Sequence, residues 1–254
     1  MFKPTLLSSI QKREPQVYSS IIQQLVQRGF AIIEVDDQKR AAALKAGIDE
    51  AGTLSGFRFP PINVENITYE EVHRKAFEAL FFTAISCLSI LTQKDEGNLA
   101  QIEKLFSQSD HEPFPFDHNY HPTFFNLFNY NHGALNNHKD RGLVTVIHID
   151  PPERAPEQAS SIWIKGLDNQ WRSGDRVISE AKGLSGDKSY ILMLVGEEGE
   201  TLFAEQKVGK LYAAEHSVHV HPEGEYIEYS HHQRDPQSRA TQNRLSAALI
   251  LRRN

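Results

Sequence analysis

The stretch NNHKDRGLVTVIH, residues 136–148, sets a histidine and an aspartate two apart at the entry of a run rich in Val, Ile and Thr. Side chains at i and i+2 of a strand leave the same face, so His138 and Asp140 can offer an imidazole nitrogen and a carboxylate oxygen side by side. Such a pair often arises by chance and does not alone make a site. Two imidazoles and one carboxylate on one face of a metal are a stronger arrangement, because that donor set suits Fe(II) and leaves three positions open. The second imidazole must come from a distant segment. The twelve histidines are unevenly spread, with six between 111 and 148, five between 216 and 232, and His73 alone. Taken singly, a histidine is more often a loop residue or a core hydrogen-bonding group than a ligand. In the second cluster, GKLYAAEHSVHV places His216 in an extended apolar pattern. His232 competes for the same part from a turn-like polar stretch, with His219 and His221 as lesser contenders. NRLSAALILRR then supplies another same-face pair, Arg244 and Ser246, at the start of a strand.

Composition narrows the classes of function. The 254 residues are 39% hydrophobic and 24% charged, ordinary for a globular chain that can bury a core. A net charge of -6 gives no polycationic surface for phosphate backbones, so neither nucleic acid nor an anionic membrane surface is an expected partner. One cysteine, Cys87, excludes an internal disulfide and fits a reducing, cytoplasmic compartment. The first residues, MFKPTLLSSIQKREPQ, carry no signal-peptide pattern. The most apolar segment, AFEALFFTAISCLSIL at 76–91, includes Glu78 and is shorter than the roughly 20 residues a membrane span needs, so it reads as a core helix. No phosphate loop, nicotinamide fingerprint or nucleophilic serine motif is present.

The elements that would position these residues fall into two halves. VYSSIIQQLVQRG, QKRAAALKAGIDEAG and YEEVHRKAFEALFFTAISCLSILT repeat apolar residues at three and four, which predicts helices, and FAIIEV at 30–35 reads as a strand between the first two. From about 123 the text changes to short β-branched and aromatic runs: FFNLFNY, LVTVIHI, SIWIKG, WRSGDRVI, SYILMLVG, KLYAAEHSVHV, EYIEYS and RLSAALILR. IKGLDNQWR predicts a hairpin turning at LDNQ, and GEEGE at 196–200 reads as a charged turn. SQSDHEPFPFDHNYHP reads as a substrate-facing connector, with no linker that separates domains. The expectation is a single domain, 1–254, with a mostly helical part at 1–122 padding a β-structure at 123–254.

Four features in this order, H-x-D, a distant His, then R-x-S, resemble the 2-oxoglutarate and Fe(II)-dependent dioxygenases of the isopenicillin N synthase-like group. HKDRGLVTVIH is similar to the family's H-x-D-x-x-x-L-T-x-L segment and SSIWIKGLDNQWRSGDRVI to its hairpin ending in tryptophan. KSYILMLVGEEGETLF resembles its apolar strand with a G-[DE] turn, and KVGKLYAAEHSVHV its segment around the second histidine. The resemblance covers about 123–254, with a fainter echo at QRGFAIIEV. It implies a double-stranded β-helix, that is, a jelly-roll core with flanking N-terminal helices in a mixed α+β, mainly β chain. It also implies Fe(II) held by His138, Asp140 and His216, with 2-oxoglutarate and O2 as co-substrates and a small organic molecule oxidised as succinate and CO2 are released. Arg244 would grip the distal carboxylate of 2-oxoglutarate through its planar fork, Ser246 would add a hydroxyl, and Tyr130 in LFNYNHG would touch the co-substrate. The polar stretch at 221–243 exceeds the family's spacing and would form an inserted hairpin or lid. Two other readings stay open: a non-catalytic jelly-roll protein that binds a metal or ligand, and a cupin-like metalloenzyme without 2-oxoglutarate. Arg244 with Ser246 separates them, since only a dicarboxylate co-substrate asks for that end-stop.

Overall fold

A computed structural model describes residues 3–53, 71–92, 124–130, 135–150, 160–185, 188–205, 210–220 and 244–251. The first part alternates short strands and helices: β1 (Thr5–Leu6), α1 (Leu7–Gln11), α2 (Pro15–Arg28), β2 (Phe30–Val35), α3 (Gln38–Thr53) and α4 (Glu71–Thr92). Pro15 opens α2 and Gly29 closes it in the left-handed region at φ 82°, its N–H returning to the Leu25 carbonyl. Val17, Ile21 and Leu25 make the buried stripe of α2 that the spacing predicts.

The second part carries β3 (Phe124–Tyr130), β4 (Leu135–His138), β5 (Val144–Asp150), β6 (Ser160–Lys165), β7 (Trp171–Ser173), β8 (Ser189–Val195), β9 (His216–Val220) and β10 (Arg244–Leu251). These strands build two sheets, one of order β1-β2-β8-β5-β10-β3 and one of order β4-β9-β6-β7. All ladders among the described residues are antiparallel except β1 with β2. FAIIEV therefore joins the β-structure rather than standing among the helices, pairing along its full length with β8.

Strand alternation divides the interior into two cores. On one face of the six-stranded sheet, Val144, Val146, Ile191, Met193 and Leu249 pack with Ile21, Leu44, Leu80 and Leu88 from the helices. On the other face, Ile147, Ile149, Leu192 and Ala248 pack with Ile162, Ile164 and Val218 of the four-stranded sheet. The result is a helix, sheet, sheet layering, with helices padding the β-structure as the periodicity predicts. The apolar segment 75–92 is long and apolar enough to cross a membrane, yet 72% of it is buried in the helix-side core, including Cys87.

Several local expectations are corrected. WRSGDRVI is strand only through Ser173; a helix, α5 (Gly174–Ser185), starts there because the Ser173 hydroxyl accepts from the Arg176 N–H at 3.1 Å, a side-chain cap. GEEGE is not a turn but the start of α6 (Glu197–Glu205), whose three first-turn glutamates favour the positive end of the helix dipole. KLYAAEHSVHV is strand only from His216, since Lys210–Glu215 bonds outward to other elements instead of along one ladder. The hairpin at LDNQ forms as expected, with Gly166 and Gln170 joined by a 2.9 Å bond and Asn169 at φ 59°. EYIEYS, the connector at 107–122, the 221–243 segment and His232 lie outside the described residues.

Candidate metal centre

Asn-rich LNNH is a poor strand by composition, and its pairing is irregular. Leu135 faces Val218 across the β4–β9 ladder, whereas three residues later His138 faces His216, so the register shifts by one. Regular pairing from Leu135 would set position 137 opposite His216. The irregularity substitutes His138 instead and sets the two histidines opposite each other across the ladder, their rings inclined at 52°. Two residues on, Asp140 follows on the same side, only 8% exposed.

His138 and Asp140, two apart in sequence, thus meet the remote His216. One ligand atom each from His138, Asp140 and His216 lies within 4.8 Å of the others. His138 Nε2 is 3.7 Å from Asp140 Oδ1, His216 Nε2 is 3.6 Å from Asp140 Oδ2, and the two imidazole centroids are 4.2 Å apart. These separations are too long for hydrogen bonds. His216 Nδ1 sits 3.0 Å from the Ala214 carbonyl, which can only accept, so Nδ1 carries the proton and Nε2 turns a lone pair toward the carboxylate. Two ring nitrogens and a carboxylate that converge in this way make a donor set for a cation. An ion about 2.1 Å from each needs neighbouring donors roughly 3 Å apart, and the two imidazole–carboxylate gaps, 3.7 and 3.6 Å, exceed that by less than 1 Å. The residues therefore fit a first-row divalent metal.

The surroundings hold this set in place. Thr145 Oγ1 donates to Asp140 Oδ2 at 2.6 Å from within β5. The Asp140 main-chain carbonyl accepts from Glu197 N–H at 2.8 Å, tying the turn to α6. On the His216 side, Glu200 Oε2 accepts from Ala213 N–H at 2.9 Å, and the Glu215 carbonyl accepts from Lys165 N–H at 2.9 Å. These contacts fix the irregular approach to β9.

Of the other expected residues, Ser246 is 2% exposed on β10 and shares the pleat face of Ala248, which belongs to the core between the sheets. Arg244 and Tyr130 are direct partners in the β10–β3 ladder. Sequence reasoning gave no part to Thr145, although it is the threonine of the quoted L-T motif. It also missed Asp175, whose Oδ2 accepts from Ile162 N–H at 2.8 Å and fastens α5 to the four-stranded sheet. Elsewhere, a cavity of about 820 Å³ bordered by Arg28, Asp168, Arg172 and Glu180 includes none of the three metal-ligating candidates.

No protein-family profile matches the sequence, and no curated protein is similar enough to match. Solved structures do match in fold. A 2OG-Fe(II) oxygenase family candidate from Caulobacter crescentus aligns at TM-score 0.57 and 12% identity, over 99% of this chain and 86% of that one. A candidate oxygenase from Shewanella oneidensis aligns at 0.52 and 15%, over 99% and 90%. A full-length Neurospora crassa protein, solved with alpha-KG and 5-formyluracil, aligns at 0.53 and 10%, over 98% and 84%. The chain therefore has the fold of 2-oxoglutarate/Fe(II) oxygenase structures.

Proposed function

We propose that this protein is an Fe(II)- and 2-oxoglutarate-dependent oxygenase that oxidises a small organic substrate, with hydroxylation as the default outcome. In this reading β3–β10 make the double-stranded β-helix core, and the helices and the β-part act as one cytoplasmic domain. His138, Asp140 and His216 hold the iron. Arg244 pairs bidentately with the distal carboxylate of 2-oxoglutarate, Ser246 adds a hydroxyl bond, and Tyr130 lines the same co-substrate from the neighbouring strand. The observation that carries the proposal is the convergence of two imidazoles and one carboxylate within 4.8 Å.

When bound, iron and 2-oxoglutarate supply the oxidising chemistry, with decarboxylation to succinate and CO2 coupled to activation of dioxygen. The chain's own residues bind, orient and shield. His138, Asp140 and His216 would leave coordination positions for co-substrate and dioxygen, and burial of His216 and Asp140 shields the ligand atoms from bulk water. The Arg244–Ser246 end-stop fixes how deep the diacid sits, which sets the position of its chelating end.

Anaerobic addition of Fe(II) and 2-oxoglutarate should produce a weak visible charge-transfer band that His138→Ala and His216→Ala abolish and His232→Ala retains. Absence of the band in the wild-type protein, or its survival in His138→Ala, rules out the reading. A metabolite panel followed by succinate release then finds the substrate.

A further inference from the structure

Thr145 lies in β5 at 1% exposure, on the face it shares with Ile147 and Ile149 against the second sheet. Among aliphatic neighbours a buried hydroxyl needs a partner, and leaving one unmade costs about 1–3 kcal/mol. Its partner is Asp140 Oδ2 at 2.6 Å, and since an ionised carboxylate only accepts, the threonine donates. The two carboxylate oxygens are thereby made unequal. Oδ1 lies 3.7 Å from His138 Nε2, whereas Oδ2 lies 3.6 Å from His216 Nε2 and also takes the short, charge-assisted bond from Thr145. Rotating the carboxylate would break that bond and move both oxygens from their places opposite the two imidazoles.

We propose that Thr145 is a positioning residue that, through its bond to Oδ2, fixes the rotation of the Asp140 carboxylate between the two imidazoles and so preorganises the three ligands for a metal. The inference rests on the reading that His138, Asp140 and His216 hold a divalent metal. Groups that orient a ligand in this way commonly change metal affinity about 10- to 100-fold when removed.

Co(II) titration of the full chain tests this, because cobalt reports affinity and, through its visible bands, coordination number. Thr145→Val should bind Co(II) about 10- to 100-fold more weakly and with a changed visible spectrum, and Thr145→Ser should restore both. Circular dichroism of the metal-free proteins reports folding, and Thr145→Ala makes the same deletion should the valine variant aggregate. Wild-type affinity and spectrum in the deletion variants overturn the proposal, as does a serine variant no better than valine, which indicates a packing role only. If the wild-type protein fails to bind Co(II), or His138→Ala binds as well, the metal reading itself fails and takes this inference with it.

Discussion

Ser246 is buried at 2% exposure on the pleat face that looks into the space between the sheets, and position 244 is two residues earlier on the same strand, opposite Tyr130. If this pair is the diacid end-stop, Arg244→Lys should raise the KM for 2-oxoglutarate more than it lowers kcat at saturating co-substrate. A bidentate, charge-assisted pair is worth about 1.5–3 kcal/mol, equivalent to roughly 10- to 100-fold. Ser246→Ala, which removes one hydroxyl bond of about 1 kcal/mol, should raise it roughly fivefold. Succinate release against 2-oxoglutarate concentration measures both, and an unchanged KM in Arg244→Lys argues against the assignment. The candidate metal ligands were legible because their chemistry is tied to residue type: only His, Cys, Asp and Glu offer such donors, and period two puts Asp140 beside His138. Thr145 was not, because a threonine inside VTV is already explained by strand propensity.

The turn that carries Asp140 is held by α6 through unusually close backbone packing. A Cβ on Gly199 would lie 2.0 Å from the Leu143 carbonyl oxygen, and one on Gly196 would lie 2.1 Å from that of Gly142. Neither obstacle is a flexible side-chain end, so the backbone itself must move. Gly199→Ala should therefore cost about 1–3 kcal/mol, lowering the thermal midpoint by roughly 2–12 °C for a chain of this size. It should also weaken Co(II) binding, since the displaced turn carries the proposed ligand Asp140; a variant with wild-type midpoint and affinity would show that the helix does not support the site. The legibility of the elements follows the same physics. Helices α2, α3 and α4 were readable because their apolar residues keep one period, and strands β2, β5, β8 and β10 because they are short, mostly aliphatic runs. Strand β4 was not, because two asparagines interrupt the pattern and a register shift breaks the alternation. The start of α5 was hidden by tryptophan and arginine in WRS, which read as strand, while the signal that stops it is a single capping serine.

Two cores back to back explain why the order of strands could not be read from alternation alone. Strands of the six-stranded sheet bury both faces, so β2 and β8 appear as continuous apolar runs that do not say which face meets helices and which meets the second sheet. Only the contacts of Met193 with one core and Leu192 with the other assign them. The helix-side core is also where the only cysteine lies, and it gives a measure of how the molecule opens. Burial pushes the Cys87 thiol up from 9.0 to about 12, and Tyr212 is raised from 10.0 to about 12 chiefly by burial. Both groups hold their protons longer in the folded state than in the unfolded one. Their contribution to stability is therefore complete below about pH 9 and is lost as pH rises from there toward 12. At pH 8 the native thiol should react with an alkylating reagent only as fast as the molecule unfolds, with denaturant raising the rate in step with loss of helical circular dichroism. Between pH 9 and 12 the thermal midpoint should fall, and Cys87→Ala should remove part of that slope. Alkylation at the rate of a free thiol while the circular dichroism stays native would show that the α4 core opens without global unfolding, and that the helices are not bound into the β-structure as one cooperative body.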